Sequence, residues 1–296
     1  MVATTSPVTP VSPRPPPPLT SPLPSSPTAF SRFPISPTPG AVALTGLGRT
    51  MSPTGSLLGT ADQTLTLSLD GSGLPATAWV QVGSQVMSVT STDGPLRYSP
   101  PTSAGSVTLI HLGYPYSILD YLKNVDFVDP ALQSWNYQTF GWWAGAFDQD
   151  PTRTAGSFSV GATTLGSAIP TAGSALFQGK LAAEYYPGTD GYPTDIAATA
   201  SLSVDFGART AAFASSDWRD SKSIQAGTAL SGLLTYQSQQ NLLAGTLTTA
   251  NGLLSGQASA QFYGPHAEEV GGVFTLAPTT GPAGGVGVVG GFGAAR

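Results

Sequence analysis

Residues 195–206 alternate strictly between two classes of side chain. Every even position of this segment is apolar, and every odd position is polar except Ala197. A period of two residues is typical of a β-strand with one dry face and one wet face. Residues 173–186 and 257–262 follow the same pattern. The pattern therefore predicts an all-β protein.

Further strands are predicted at 136–147, 156–160, 209–214, 229–236, 271–276 and 286–294. Eight or nine closely spaced antiparallel strands favour a closed up-and-down barrel, because closure removes exposed sheet edges. Along the apolar faces Ala and Gly alternate with Phe, Leu and Tyr, which suits a small filled interior better than a lipid-facing band of large aliphatic side chains. We therefore expect a barrel with an apolar core, and a porin-like outer-membrane barrel is the alternative.

Composition divides the chain before this barrel into two parts. Residues 1–40 hold 13 of the 27 prolines, a composition that favours extended polyproline II over a packed core. We predict a disordered tether over 1–55, a handle-like β domain over 56–132 and a barrel over 133–296. Within the handle, residues 118–128 are predicted to supply one short helix.

Charge and cysteine content exclude several classes of protein. Only 9% of the residues are charged, the net charge is −5, and there is no Cys. A disulfide framework, a thiolate metal site and a nucleophilic Cys are therefore excluded, and no basic footprint for nucleic acid is present. No apolar run reaches the roughly 18 residues of a spanning helix. The N-terminus lacks the basic and apolar regions of a secretory signal, so we expect export by another route or a start further upstream.

Four motifs in the second half of the chain have distinctive wording. They are the Phe-Gly-Trp-Trp segment at 140–143, the segment at 169–179, the Ala-Ser-Leu-Ser-Val-Asp-Phe-Gly segment at 200–207, and the stretch from 256 to 276 with the closing residues 290–296. In this order they resemble the barrel of the transferrin-binding protein B family of bacterial surface lipoproteins. The residues that carry the resemblance are Gly141, Trp143, Pro170, Gly173, Gly179, Asp205, Phe206, Gly207, Phe262, Tyr263, Gly264, Pro265, Ala267, Glu269, Gly271, Gly272, Phe292 and Gly293.

This resemblance implies one lobe, in which a small β-rich handle precedes an eight-stranded antiparallel up-and-down barrel. It implies a non-enzymatic binding protein, displayed on the outer surface of a Gram-negative bacterium or secreted. The expected ligand is an iron source, namely haem, haemoglobin or a transferrin-like protein, delivered to an outer-membrane transporter. Family members are usually anchored through a lipidated Cys, which this chain lacks, so contact with a membrane is expected only through a tether not visible here. An adhesin or host-factor binder on the same scaffold is the alternative.

Candidate ligand residues are aromatic or basic and lie near predicted strand ends. Imidazole can ligate haem iron, and nearby tyrosines can ligate iron or stack on a porphyrin. Tyrosines at a barrel rim are frequent binding hot spots. These residues are His111, Tyr114, Tyr116, Tyr185, Tyr186 and Tyr192. Haem as a transported ligand is the one candidate cofactor.

No catalytic residue and no metal site is assigned from the sequence. With two His and no Gly-x-Ser-x-Gly elbow, a nucleophilic triad is not expected. His266 lies beside Glu268 and Glu269, but consecutive residues after a Gly-Pro turn do not converge on one ion. We expect these three residues to form a turn between barrel strands.

Overall fold

β-strands dominate the computed structural model of the protein. The structure describes residues 40–51, 57–69, 75–90, 96–98, 107–113, 123–147, 150–187, 194–216, 219–220, 229–280 and 286–296. The short helices in these segments are α1 (Pro130–Gln133) and one turn of 3-10 helix at Gly166–Ala168. The strands form two antiparallel sheets.

The first sheet contains nine strands in the order β4-β3-β2-β1-β9-β8-β7-β6-β5. These are β1 (Gly40–Met51), β2 (Leu57–Leu69), β3 (Pro75–Val82), β4 (Gln85–Thr90), β5 (Leu96–Tyr98), β6 (Leu109–Leu112), β7 (Asn124–Val128), β8 (Gln138–Phe147) and β9 (Asp150–Gly161). The sheet curls around its own apolar core, which includes Leu67, Val80, Phe127, Trp143 and Phe158.

The second sheet closes into a barrel of eight strands. Its strands are β10 (Ser174–Pro187), β11 (Thr194–Asp205), β12 (Thr210–Ser215), β14 (Leu230–Thr235), β15 (Leu243–Thr249), β16 (Leu254–Tyr263), β17 (Glu269–Pro278) and β18 (Val286–Ala295). Each pairs with the next along the chain, and β18 pairs with β10 to close the circle. The two-residue strand β13 (Arg219–Asp220) adds to β11 outside this circle.

The barrel interior is filled by the apolar face predicted from the alternation. All even positions from Ile196 to Phe206 belong to one buried cluster, together with Phe177, Phe262 and Phe292. Burial of large apolar side chains is the main favourable term in folding, about 1.5–3 kcal/mol for each. The predicted fold class, an all-β handle followed by an eight-stranded up-and-down barrel with a filled apolar interior, is confirmed.

The outer wall of the barrel packs against the first sheet. Ala182, which interrupts the alternation of β10, pairs with Ala197 of β11. Both alanines are buried in a cluster with Trp135, Phe140 and Trp142. Small side chains at these two outward positions let the aromatic side chains lie flat against the barrel wall. The other exception to the alternation, Leu176, is 56% exposed.

Two predictions about domain limits are wrong. Residues 40–51, expected in the tether, form β1, which pairs with β2 and with β9. Residues 138–161, expected in the barrel, form β8 and β9 of the first sheet. Alternation marks each strand but does not state which sheet it joins, since that depends on pairing with distant strands. Residues 1–39 of the predicted tether lie outside the described residues.

The predicted helix over 118–128 is wrong for residues 124–128, which form β7. This strand is buried between β6 and β8, and strand pairing on both sides overrides the local preference. Residues 118–122 lie outside the described residues. The turn predicted at His266 is present, since residues 264–267 connect β16 to β17.

Candidate binding site

The side chain of His111 is held by an acidic residue on the neighbouring strand. His111 of β6 lies opposite Asp126 of β7, and its Nδ1 is 2.8 Å from Oδ1 of Asp126. The other carboxylate oxygen accepts a hydrogen bond from Nδ2 of Asn124 at 2.6 Å. The imidazole is 18% exposed, whereas the side chain of Asp126 is 2% exposed. A buried carboxylate therefore orients a partly exposed imidazole.

This arrangement is the one that orients ligating histidines in proteins. A carboxylate that accepts a hydrogen bond from one ring nitrogen fixes the tautomer and raises the basicity of the other nitrogen. Tyr114 and Tyr116, predicted to assist His111, lie outside the described residues, and so does Tyr192.

The remaining tyrosines of the prediction lie at the end of β10. Tyr185 is partly buried and packs against the barrel core. Tyr186 packs against the small cluster of Ala144, Ala155 and Val289, and its hydroxyl donates a hydrogen bond to Glu184. The structure thus separates the two rings, one toward the barrel interior and one toward the first sheet. It does not bring Tyr185 and Tyr186 together into one exposed aromatic patch.

Several motif residues join the barrel to the first sheet. The hydroxyl of Tyr263 is 2.8 Å from the hydroxyl of Ser159 and donates to the carbonyl of Ser159 at 2.9 Å. Tyr263 is fully buried, and burial raises the pKa of its phenol, so it stays a neutral donor. Thr164 donates to the carbonyl of Gly264 at 2.6 Å. We call this polar contact region between the two sheets the joint.

Glu269 is the charged group of the joint. Its carboxylate accepts hydrogen bonds from the backbone nitrogens of Asn136 at 2.6 Å and Tyr137 at 3.1 Å. The residue is only 2% exposed. Burial raises the pKa of Glu269 to about 7, although the backbone hydrogen bonds oppose this rise. The residue therefore ties the start of β17 to the segment before β8 and titrates near neutrality.

Gln138 and Gly271 meet at the centre of the joint. Nε2 of Gln138 donates to the carbonyl of Val270 at 2.9 Å, and a Cβ atom at Gly271 would lie 1.9 Å from Oε1 of Gln138. A side chain at this position would therefore require Gln138 to give up its place in the contact between the two sheets. The motif residues of the joint serve the assembly of the lobe.

The other motif residues lie in the barrel, its turns or β8. Phe206 and Phe262 pack in the interior with tilted rings whose centres are 5.8 Å apart. Asp205 ends β11. The β11–β12 and β16–β17 turns and the segment before β10 hold Gly207, Pro265, Ala267, Pro170 and Gly173. Within strands lie Gly141, Trp143, Gly179, Gly272, Phe292 and Gly293. Gly141 and Trp143, predicted in the barrel, belong to β8 of the first sheet.

A cleft opens at the end of the barrel where β10 begins and β11 ends. It has a volume of about 190 Å³ and is lined by Gly166, Ser167, Ile169, Pro170, Thr171, Phe206, Arg209, Tyr236, Ser238 and Gln239. Leu165, which precedes the lining residue Gly166 in the chain, is 60% exposed. The sequence analysis missed this barrel-end cleft, because its residues come from three separate loops and show no periodicity.

The comparison with protein families concerns the same barrel. The family described as the C-lobe and N-lobe β-barrels of Tf-binding protein B matches residues 169–296. The C-terminal barrel is similar to the barrels of this family. The transferrin-binding protein B resemblance predicted from the motifs is thus confirmed for the barrel, and the match begins at residue 169, just before the first barrel strand.

Solved structures similar to the whole chain include transferrin-binding protein B from two organisms. A double mutant from Haemophilus parasuis Hp5 is 17% identical with a TM-score of 0.49, and the alignment covers 85% of this chain and 44% of that chain. The isotype 1 protein from serogroup B Neisseria meningitidis is 15% identical with a TM-score of 0.44, and the alignment covers 85% and 43%. A protein described as a surface lipoprotein is 13% identical with a TM-score of 0.41, and the alignment covers 86% and 99%.

The chain thus spans about half the length of the solved transferrin-binding protein B chains. A search of curated protein sequences found no match. Among the residues that the structure describes, no three His, Cys, Asp or Glu side chains are grouped to hold a metal ion. No helix in the described segments is long and apolar enough to cross a membrane.

Proposed function

We propose that this protein is a non-enzymatic binding protein that captures an iron-carrying protein of the transferrin type from a host or the environment. The observation that carries the proposal is the match of residues 169–296 to the barrels of Tf-binding protein B. A filled barrel has no internal site for a ligand of that size. The partner would therefore be bound by the loops and outer faces of the two sheets.

The place of action in this proposal is the outer surface of a Gram-negative bacterium, or the medium after release. The Pro-rich segment over 1–39 has the composition of a spacer that holds a folded domain away from its anchor. From that position the protein would pass its iron source to an outer-membrane transporter. Tyr192, outside the described residues, remains a candidate contact residue on the loop between β10 and β11.

Haem is a second candidate ligand, favoured by the contact between His111 and Asp126. The imidazole is partly exposed and its Nδ1 is 2.8 Å from a buried carboxylate. Neutral imidazole can ligate haem iron. In this version His111 would hold the iron, and Tyr114 and Tyr116, which lie outside the described residues, are the candidates for stacking on the porphyrin or for ligating the iron.

Capture of an iron-carrying protein is tested by binding of the full chain to immobilised partners. The full chain is needed because β1 pairs with both β2 and β9, so a fragment that begins at residue 56 lacks a central strand. Iron-loaded transferrin, iron-free transferrin and haemoglobin are compared with serum albumin as control. Saturable binding of transferrin or haemoglobin supports the proposal. Binding that is equal for all partners, or absent for all iron carriers, contradicts it and favours the adhesin alternative.

Haem capture is tested by titration of the full chain while the Soret band is followed. We expect a saturable shifted band in the wild type that is lost in His111→Ala. His266→Ala is the matched control, because His266 is the other histidine of the chain and lies in the β16–β17 turn. A flat titration, or equal loss in both variants, contradicts ligation by His111.

A further inference from the structure

A side chain that lines the barrel-end cleft carries a buried hydroxyl group with no partner among the described residues. Tyr236, the residue after β14, is 6% exposed, and its ring lies edge-on to Phe262 at 5.6 Å. A buried donor without an acceptor costs about 1–3 kcal/mol. The hydroxyl has almost no surface open to the cleft, so a ligand oxygen reaches it only after a shift of the side chains around it.

A guanidinium group stands at the same cleft. Arg209, in the β11–β12 turn, is exposed, and its charge acts on the phenol of Tyr236. No carboxylate in the described part of the chain lies within ion-pair distance of Arg209. The nearby carboxylate of Asp205 accepts a hydrogen bond from the backbone nitrogen of Ala208 at 2.9 Å and so completes the turn. The guanidinium therefore keeps its capacity to bind an anion from outside.

Two residues of the cleft have left-handed backbone conformations. Arg209 has φ 57° and Gln239 has φ 61°. Glycine adopts this region without strain, whereas a residue with a Cβ atom pays an energetic cost there. The presence of Arg209 at such a position, despite this cost, is explained if its side chain has a role of its own.

We propose that the barrel-end cleft binds a carboxylate group, with the guanidinium of Arg209 as the charged partner and the hydroxyl of Tyr236 as a second donor. A planar guanidinium matches a carboxylate with two parallel hydrogen bonds. The volume of about 190 Å³ equals the space of about six water molecules, enough for a carboxylate and the few carbon atoms that carry it. The carboxylate belongs either to a free small acid or to an acidic side chain of a protein.

The test follows the Tyr236 resonance by NMR in the full chain labelled with ¹³C-tyrosine, assigned by its loss in Tyr236→Phe. Sodium acetate is the probe for a free acid, a hexa-aspartate peptide is the probe for a protein side chain, and sodium chloride controls for ionic strength. Arg209→Gly removes the guanidinium and also relieves the backbone strain at residue 209. Gln239→Gly is the matched control, because it relieves the same strain in the same cleft without loss of charge.

We expect saturable binding of at least one carboxylate probe to the wild type and to Gln239→Gly, weakened about tenfold or more in Arg209→Gly. Both glycine variants should unfold at the wild-type temperature or above it. Binding of acetate indicates a free acid, and binding of the peptide alone indicates a protein side chain. The proposal is overturned if neither probe binds, if chloride gives an equal response, or if Arg209→Gly binds as the wild type does. If Arg209→Gly does not fold, Tyr236→Phe is tested in its place, and binding of the peptide probe is followed by fluorescence. Binding as strong as that of the wild type would contradict the proposal.

Discussion

The hydroxyl of Tyr263 in the barrel lies 2.8 Å from the hydroxyl of Ser159 in the first sheet. The same phenol also donates to the carbonyl of Ser159. Two residues 104 positions apart in the chain thus connect the two sheets inside a buried contact. Contacts of this kind hold the two sheets together.

Removal of the Tyr263 hydroxyl should weaken the joint. Tyr263→Phe keeps the ring but removes the hydroxyl that contacts the hydroxyl and the carbonyl of Ser159. Because both groups are buried, the free energy of unfolding should fall by about 1–3 kcal/mol. Urea denaturation measures the change. The matched control is Tyr236→Phe, because the hydroxyl of Tyr236 is buried without a partner. The stability of Tyr236→Phe should equal or exceed that of the wild type. An equal loss of stability in Tyr236→Phe and Tyr263→Phe would show that the hydrogen bonds of the joint are not the cause of the loss.

Glu269 should make the protein less stable as pH rises from about 4.5 to about 7. Its pKa is raised from 4.5 to about 7 in the folded state, chiefly by burial. In this window the folded state binds more protons than the unfolded state, so the free energy of unfolding falls as pH rises and levels off above about 7. The expected contribution is about 3 kcal/mol.

The pH dependence is measured by urea denaturation across that window in two variants. Glu269→Gln removes the titrating group and retains one acceptor oxygen, so the slope due to Glu269 should disappear. Glu268→Gln is the control, because it removes the adjacent carboxylate, which accepts a hydrogen bond from the backbone nitrogen of His266. This variant should keep most of the dependence of the unfolding free energy on pH. A slope that persists in Glu269→Gln would assign the titration to another group.

Replacement of Arg49 by an uncharged side chain should not destabilise the lobe. Arg49 is 7% exposed and donates one hydrogen bond, at 2.9 Å, to the hydroxyl of Ser259 across the joint, while its Nε has no partner among the described residues. Burial lowers its pKa, which shows that the charge is costly there. We expect the free energy of unfolding of Arg49→Met to stay constant or rise by up to about 4 kcal/mol.

Ser259→Ala is the opposite case, because it leaves the buried guanidinium of Arg49 without that acceptor. A loss of about 1–3 kcal/mol is expected. Thermal and urea denaturation of both variants give the comparison. A clear loss of stability in Arg49→Met would mean that the charge is better compensated than its contacts indicate.

Barrel closure should depend on Gly179. This residue of β10 faces Ala294 of β18, and a Cβ atom there would lie 1.9 Å from the carbonyl oxygen of Gly293. Gly179→Ala should therefore lower the free energy of unfolding by about 1–3 kcal/mol. Gly207→Ala serves as control, since the nearest atom to its Cβ would be 3.4 Å away, and its stability should remain within about 0.5 kcal/mol of the wild type. If the stability of Gly179→Ala equalled that of the wild type, β10 and β18 would be able to move apart at this position without a loss of stability.

The alternation of side chains predicted seven of the eight barrel strands and missed β15 (Leu243–Thr249). The even positions from Ile196 to Phe206 all lie in the barrel core. The motif residues at 262–272 were sufficient to predict the family of the barrel. These features are local, because a strand with one dry face repeats every two residues whatever its partners are.

The sheet to which a strand belongs was decided by contacts distant in sequence. In β8 both faces are apolar, because Trp143 fills the core of the first sheet while Phe140 and Trp142 pack on the barrel. A strand buried on both faces does not reveal by its pattern which neighbours it has. The boundary between the two sheets was therefore misplaced in the prediction.

The sequence alone determined the fold class, since this follows from the spacing of residues within single strands. The resemblance to the barrel family came from the wording of four motifs. The tertiary structure decided how the joint forms and where the barrel-end cleft lies. Glu269 and Tyr263 acquire their roles from partners more than 100 residues away. Arg209 and Tyr236 meet only when two turns close over the barrel end. Burial, charge compensation and unsatisfied hydrogen-bonding groups depend on three-dimensional neighbours, and no local pattern encodes them.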